Sequence, residues 1–95
     1  MADWRSEEHR RGHFEDHRGP LHVRSIEEYD ASADETIALG EEFTYRERWN
    51  GEPRIGYFHR ETSRFVAMDL DGVTRSHYVT DEADVADLPM STYRG

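Results

Sequence analysis

Histidine and arginine side chains that could move protons and bind phosphate recur along this 95-residue chain. The set with the most chemical potential is His22, Arg46, Arg54, His59, Arg75 and His77. Metal-independent cleavage of RNA needs a general base, a general acid and cations near the charge that develops on the phosphorus. Imidazole and guanidinium groups on one face of a sheet would supply all three. The competing interpretation is an ordinary surface ion pair, such as Arg54 with Glu47.

Two other clusters could suggest metal chemistry. His9, His13 and His17 recur at every fourth position, and on a helix they would form a stripe able to bind zinc or nickel. Gly12 and the polar surroundings argue against a stable helix there, so solvated histidines are the expected reading. Asp69, Asp71 and Gly72 fit a hairpin turn better than a calcium loop. The sequence therefore predicts neither a metal site nor a cofactor.

The chain divides into two parts by composition. Residues 1–20 are rich in charged residues and histidine, hold few apolar residues and end in Gly19-Pro20. A segment that can bury little apolar surface tends to stay disordered, so we expect a flexible His/Arg-rich arm there. Residues 21–95 then form a single domain.

The elements of that domain can be predicted from caps and turns. Ser25 and Glu28 form a capping box, and apolar residues follow at helical spacing up to Gly40, which predicts a helix over residues 26–39. Strands are expected over 43–49, 54–60, 64–70 and 73–79, with type I′ turns at Asn50-Gly51 and Asp71-Gly72. A short helix over 81–87 precedes Pro89. The predicted fold class is α+β: an N-terminal helix, a four-stranded antiparallel β-meander and a short C-terminal helix.

The turns also predict which residues share a face of the sheet. Two-residue loops pair Phe43 with Phe58 and Val66 with His77, and a turn at Thr62-Ser63 places Val66 opposite His59. We call the first face aromatic; it carries Phe43, Tyr45, Trp49, Phe58, Phe65, Ala67 and Tyr78. The second face is mixed and carries Thr44, Arg46, Ile55, Tyr57, His59, Val66, Met68, Leu70, Val73, Arg75, His77 and Val79. If the 26–39 helix covers the aromatic face, His59 and His77 lie open; if it covers the mixed face, they are core residues.

Composition limits the classes of function. The absence of cysteine excludes disulfide scaffolds, thiolate zinc sites and cysteine nucleophiles. No apolar run is long enough for a membrane span, and the N-terminus lacks the apolar stretch of a signal peptide, so a cytoplasmic location is expected. The net charge of −9 disfavours nonspecific binding to nucleic acid and favours basic partners.

Dispersed residues from His22 to Tyr93 carry a family resemblance. They are His22, Phe43-Thr44-Tyr45, Arg54-Ile55-Gly56-Tyr57, Ser76-His77-Tyr78 and Leu88-Pro89-Met90-Ser91-Thr92-Tyr93. Together with the element order, they make the chain similar to the barnase–EndoU–colicin–RelE (BECR) group of small bacterial ribonuclease toxins. The resemblance implies metal-independent RNA cleavage within a toxin–antitoxin or polymorphic-toxin system, and a cognate antitoxin as partner. It also implies a terminal hydroxyl role for Ser91 or Thr92.

On this basis we predict catalytic roles for His22, Arg54 and His77, and substrate binding by Arg46, Tyr57, His59 and Arg75. The 2′-hydroxyl of RNA would be the nucleophile, His22 and His77 would share the base and acid roles, and Arg54 would stabilise the phosphate. The acidic charge motivates an alternative: a non-enzymatic antitoxin, immunity or anti-defence protein that binds a basic protein. A third reading is a homodimer that buries the extra sheet face.

Overall fold

Two serine-capped helices open the chain in the computed structural model, which describes residues 3–95. Helix α1 spans Glu7–Leu21, and the Ser6 hydroxyl accepts a hydrogen bond from the His9 backbone N–H. Helix α2 spans Ile26–Leu39, and Ser25 accepts from the Glu28 N–H at 3.2 Å. The capping box therefore starts α2 at the predicted residue.

Helix α1 replaces the flexible arm that composition suggested for residues 1–20. Phe14 and Leu21 are buried on α1 and pack against Tyr29 of α2, and the Arg18 guanidinium lies 4.9 Å from the Phe14 ring. These contacts offset the cost of Gly12 in the helix, which local composition could not reveal. Met1 and Ala2, which the predicted arm included, lie outside the described residues.

The strands form one mixed sheet in the order β1-β5-β4-β3-β2. Their bounds are Asp3–Trp4 for β1, Glu41–Arg46 for β2, Pro53–His59 for β3, Arg64–Met68 for β4 and Val73–Val79 for β5, and helix α3 spans Glu82–Ala86. Strands β2 to β5 pair antiparallel, while β1 pairs parallel with β5. The α+β class is confirmed. The four-stranded antiparallel sheet is corrected to a five-stranded mixed one, and α3 is shorter than predicted because Asp81 and Asp87 are its N-cap and C-cap.

The register differs from the prediction in two of the three hairpins. Phe43 lies opposite Gly56 instead of Phe58, because residues 47–52 form a longer loop closed by a 2.9 Å hydrogen bond from the Glu47 N–H to the Glu52 carbonyl. Val66 lies opposite Tyr57 instead of His59. Both shifts are two residues, so the side chains of β2, β3 and β4 keep their predicted faces. Arg75 of β5 leaves its predicted mixed face, because Ser76 pairs with Ala67 and Thr74 with Met68, and Arg75 lies between these pairs. The pairing of Val66 with His77 is confirmed, with a bulge between Ala67 and Met68.

Both faces of the sheet are covered. Helix α2 packs on the mixed face, where Ala33 meets Val66 and Met68. Helix α3 and the residues after it cover much of the aromatic face, where Val85, Leu88 and Tyr93 join the cluster of Phe43, Tyr45, Phe58, Phe65 and Ala67. The mixed face is therefore core where α2 lies on it, and the homodimer stays a prediction.

Close backbone packing ends α2 and closes the outer edge of the sheet. Gly40 has an ordinary φ of −78°, and a Cβ there would lie 2.6 Å from the Thr36 carbonyl oxygen, so this glycine is needed for its small size. The edge of β2 is bonded by the C-terminal segment, with Arg46 N–H donating to the Pro89 carbonyl at 2.8 Å. Within residues 3–95 no helix has the length and apolar character that a membrane span requires.

Candidate functional site

His77, predicted as a catalytic residue, is completely buried between the sheet and α2. Its Nδ1 donates to the Phe65 carbonyl at 3.0 Å, and its Nε2 accepts from the Ser32 hydroxyl at 2.8 Å. Burial lowers the pKa of His77 to about 4. A neutral imidazole with both nitrogens bonded inside the core is out of reach of a substrate, so this prediction is corrected: His77 is a structural residue.

Four other predicted site residues do not converge either. His22 is exposed at the left-handed C-cap of α1, with a φ of 59°. The Tyr57 hydroxyl donates to Glu42 at 2.6 Å, and the His59 ring lies beside the Thr62 hydroxyl. Arg46 donates to the Gly51 carbonyl within its own hairpin. None of these four residues, nor His77, lines the cavity of about 320 Å³ where Arg54 and Arg75 meet, although Arg46 and Arg54 line another cavity together.

Arg54 and Arg75 do come together, at a cavity of about 320 Å³ on the side of the aromatic face. We call it the His/Arg cavity. Its lining residues are His9, His13, Tyr45, Glu47, Arg48, Trp49, Arg54, Ala67, Arg75, Ser76, Tyr78 and Leu88. The structure thus joins two predicted arginines to two histidines that sequence reasoning had assigned to a solvated arm.

Helix α1 brings its histidines to this cavity because it lies along β5. Successive turns of the helix meet successive residues of the strand. The His9 Nε2 donates to the Arg75 carbonyl at 2.9 Å, and His13 Nδ1 lies 3.4 Å from the Ser76 hydroxyl. One turn further on, the rings of His17 and Tyr78 are 5.4 Å apart.

Trp4 of β1 packs against the side chains of His9 and His13. Its indole lies 5.8 Å from the His9 ring and 5.9 Å from the His13 ring, and it stacks on Tyr29 at 5.6 Å. The indole N–H donates to Asp30 at 3.0 Å, and Asp30 also binds Arg10 of α1. Strand β1 and α2 therefore hold α1, and with it His9 and His13, at the sheet.

Arg54 is the most deeply placed cation of the cavity, with 3% of its surface exposed. Its Nη1 contacts Glu52 at 3.1 Å and Asp69 at 3.3 Å, and its Nε lies 3.9 Å from Glu47. Within the described part of the chain, the buried Nε has no hydrogen-bond partner. A buried donor without a hydrogen-bond partner is costly, and the carboxylates of Glu47, Glu52 and Asp69 around the guanidinium offset that cost.

Asp69 links Arg54 to the second arginine of the cavity. One carboxylate oxygen of Asp69 contacts Arg54, and the other lies 3.7 Å from Arg75 Nη1. The predicted interpretation of Asp69 as a hairpin residue holds as well, since its N–H donates to the Val73 carbonyl. Asp69 thus orients two guanidinium groups at one end of the cavity.

The two imidazoles of the cavity are close enough to influence each other's protonation. The rings of His9 and His13 are 4.5 Å apart. Burial, and then the charges of His9 and His17, lower the pKa of His13. General acid–base catalysis uses one imidazole as the base and a second as the acid, and this pair offers both groups side by side.

The cavity also has phenol groups that stay protonated at neutral pH. Burial raises the pKa of Tyr45 and of Tyr78. Their hydroxyls therefore remain hydrogen-bond donors. In the described part of the chain, no group of three or more His, Asp or Glu side chains is arranged to hold a metal ion.

Comparison of the chain with protein-family models, with curated proteins and with solved structures found no match in any of the three. The site therefore has to be interpreted from its own geometry.

Sequence reasoning missed His9, His13, Glu47 and Tyr45 as members of the site. The fourfold spacing of His9, His13 and His17 was the available signal, because it places all three on one face of a helix. The missing information was that α1 is a helix at all, which depends on the burial of Phe14 and Leu21.

Proposed function

We propose that the protein cleaves RNA without a metal ion, at the His/Arg cavity. The observation that carries the proposal is the convergence of His9 and His13 from α1 with Arg54 and Arg75 from the sheet on one cavity. Cleavage of a phosphodiester by its neighbouring 2′-hydroxyl needs a base, an acid and cations, and this cavity offers each of them.

The roles follow from the surroundings of each group. His13, whose pKa is lowered by burial, is neutral at pH 7 and takes the proton of the attacking 2′-hydroxyl. His9 is the second imidazole of the pair and returns a proton to the departing 5′-oxygen. The products are a 2′,3′-cyclic phosphate and a 5′-hydroxyl.

Arg54 and Arg75 stabilise the negative charge that develops on the phosphate. Arg54 offers a buried guanidinium whose Nε lacks a partner, and Arg75 adds a second cation on the other oxygen of Asp69. Both are held before substrate arrives, so little reorganisation is needed as negative charge grows on the phosphate. Local cations of this kind offset the net charge of −9, which repels RNA at long range.

The test is incubation of purified protein with labelled single-stranded RNA in the presence of a metal chelator. We expect cleavage to 2′,3′-cyclic phosphate ends, and a loss of at least about a hundredfold in rate for Arg75→Gln or His13→Ala. Arg46→Gln, on an exposed arginine outside the cavity, is the matched control and should retain the wild-type rate.

Two results would reject the proposal. One is intact RNA with well-folded wild-type protein. The other is cleavage that survives both cavity variants, since the activity would then come from another site or a contaminant. Stoichiometric capture of a basic protein by a chain that leaves RNA intact would favour the alternative of a non-enzymatic antitoxin or immunity protein. Growth arrest on induction, abolished by His13→Ala, would support a toxin role.

A further inference from the structure

A second cavity of about 320 Å³ adjoins the His/Arg cavity on the aromatic face. We call it the aromatic cavity. It is lined by Arg48, Phe65, Tyr78, Thr80, Asp84, Val85 and Leu88. Arg48, Tyr78 and Leu88 line both cavities, so the two lie side by side.

Tyr78 and Leu88 are the apolar side chains that a bound ring could contact in the aromatic cavity, because Phe65 and Val85 are each only 1% exposed beneath them. Phe65 and Tyr78 meet edge to face with centroids 5.3 Å apart, and Val85 and Leu88 belong to the same cluster. Base–aromatic contact is a general source of affinity for single-stranded nucleic acid. Burial raises the pKa of Tyr78, so its hydroxyl stays protonated at neutral pH.

Thr80 and Asp84 form a polar rim on one side of the aromatic cavity. The Asp84 carboxylate accepts a hydrogen bond from the Thr80 hydroxyl at 3.0 Å. That bond uses the only proton of the Thr80 hydroxyl and holds the carboxylate in place. An ionised carboxylate only accepts hydrogen bonds, so the free lone pairs of Asp84 favour a ligand edge that donates N–H groups.

We infer that the aromatic cavity binds the base of a nucleotide whose phosphate occupies the His/Arg cavity, and that Asp84 selects bases carrying an exocyclic amino group over uracil. This inference rests on the proposed function, which puts the phosphate in the first cavity. Arg48 lies between the two cavities, where the sugar–phosphate of such a nucleotide would pass.

The selection follows from the hydrogen-bonding edges of the four RNA bases. Adenine, cytosine and guanine each carry an amino group that can donate to a carboxylate. Uracil carries two carbonyl oxygens flanking its one N–H, and these oxygens are repelled by the negative charge of Asp84. A well-placed hydrogen-bonded contact of this kind discriminates by roughly tenfold.

The experiment measures binding of the four nucleoside 3′-monophosphates by calorimetry, and cleavage of oligonucleotides with one ribonucleotide that is A, C, G or U. We expect uridine 3′-monophosphate to bind roughly tenfold more weakly than the other three, and cleavage after U to be slower to a similar degree. Asp84→Asn should remove most of this difference, because the amide can donate to a uracil carbonyl.

A matched control is Asp87→Asn, at an exposed acid of the same helical segment that does not line the cavity. It removes the same charge and should leave the base preference unchanged. Far-UV circular dichroism and the melting temperature verify that both variants are folded.

The outcomes separate this inference from the proposed function. Cleavage with no preference among the four bases, or a preference that Asp84→Asn leaves intact, overturns the base site and leaves RNA cleavage standing. Selective nucleotide binding without any cleavage supports the base site and rejects the catalytic proposal. A chain that neither binds nucleotides nor cleaves RNA rejects both.

Discussion

The imidazole of His77 is held neutral by its position in the core. Its two nitrogens are bonded to Phe65 and Ser32, and the Tyr29 hydroxyl donates to its backbone carbonyl at 2.7 Å. Sequence reasoning predicted the partner of this residue across the sheet, Val66, but assigned it the wrong role. The strand pattern gives the face on which a side chain lies, while the helix that covers the face is decided by long-range packing.

Burial of neutral His77 makes stability depend on pH. The pKa is 6.5 for an ordinary histidine and about 4 in the folded protein. Between these values the unfolded chain binds a proton that the folded chain does not, so the free energy of unfolding falls as the pH falls from 6.5 to 4. The contribution is fully present above pH 6.5, and its loss amounts to about 3 kcal/mol.

We expect His77→Gln to flatten this acid dependence, because an amide can donate to the Phe65 carbonyl and accept from Ser32 without titrating. Urea unfolding at pH 7 and pH 4.5 measures the difference. His22→Asn, at an exposed position whose left-handed backbone suits asparagine, is the control. Equal pH dependence in the wild type and His77→Gln would contradict the assignment.

Gly56 marks a place where the core tolerates no side chain. It lies opposite Phe43, and a Cβ at Gly56 would be 2.5 Å from the Phe43 ring. We expect Gly56→Ala to destabilise the fold by about 1–3 kcal/mol, because the ring must move in a packed cluster. Gly12→Ala, where nothing lies within 4 Å, should instead stabilise α1 by up to about 1 kcal/mol. Thermal melts of the two variants that move in the same direction would contradict this packing.

Among the elements, α1 is the one that supplies both histidines of the His/Arg cavity. Its histidines follow β5 residue by residue, while its apolar side packs Phe14 and Leu21 against α2. The sequence indicated α2 and the approximate positions of four strands, since caps and alternation are local signals. The two predicted type I′ turns are wrong, because Gly51 and Gly72 have positive φ but Asn50 and Asp71 do not. The sequence did not indicate α1 or β1, because the polar residues of α1 gain their partners only from the folded sheet.

Asp30 is the residue that ties α1 to α2. It is 7% exposed, binds Arg10 of α1 and accepts from the Trp4 indole. We expect Asp30→Asn to cost about 1–3 kcal/mol and to raise hydrogen exchange in α1 more than in β3 and β4, because Arg10 loses its buried partner. RNA cleavage should fall along with α1 protection.

The matched control is Glu7→Gln, which removes the exposed partner of Arg10. That ion pair lies at the surface and contributes little, so exchange in α1 should stay close to the wild type. Uniform loss of protection across the sheet in Asp30→Asn would mean that α1 is part of one cooperative unit with no separate attachment.

Across the whole molecule, two electrostatic effects act on RNA in opposite directions: the net negative charge repels it, and the arginines of the His/Arg cavity attract its phosphates. The net charge of −9 repels RNA over a Debye length, which shrinks from about 30 Å at 0.01 M salt to about 8 Å at 0.15 M. The contacts of a phosphate with Arg54 and Arg75 act at short range and are screened less.

We therefore expect kcat/KM for RNA to stay level or rise as salt increases from 0.01 to about 0.15 M, whereas a basic nuclease loses affinity over the same range. Initial rates at several salt concentrations, at fixed pH, measure this. A steep fall with salt would contradict this expectation, because it would require many phosphate contacts with basic residues, which a net charge of −9 disfavours.

The central claim is that the catalytic imidazoles come from α1 and line the cavity of Arg54 and Arg75. The most direct measurement compares RNA cleavage by His13→Ala with cleavage by His22→Asn, the exposed histidine that sequence reasoning favoured. We expect a loss of at least about a hundredfold for His13→Ala and a wild-type rate for His22→Asn, with both proteins folded. Equal activity of the two variants, or loss confined to His22→Asn, would contradict it.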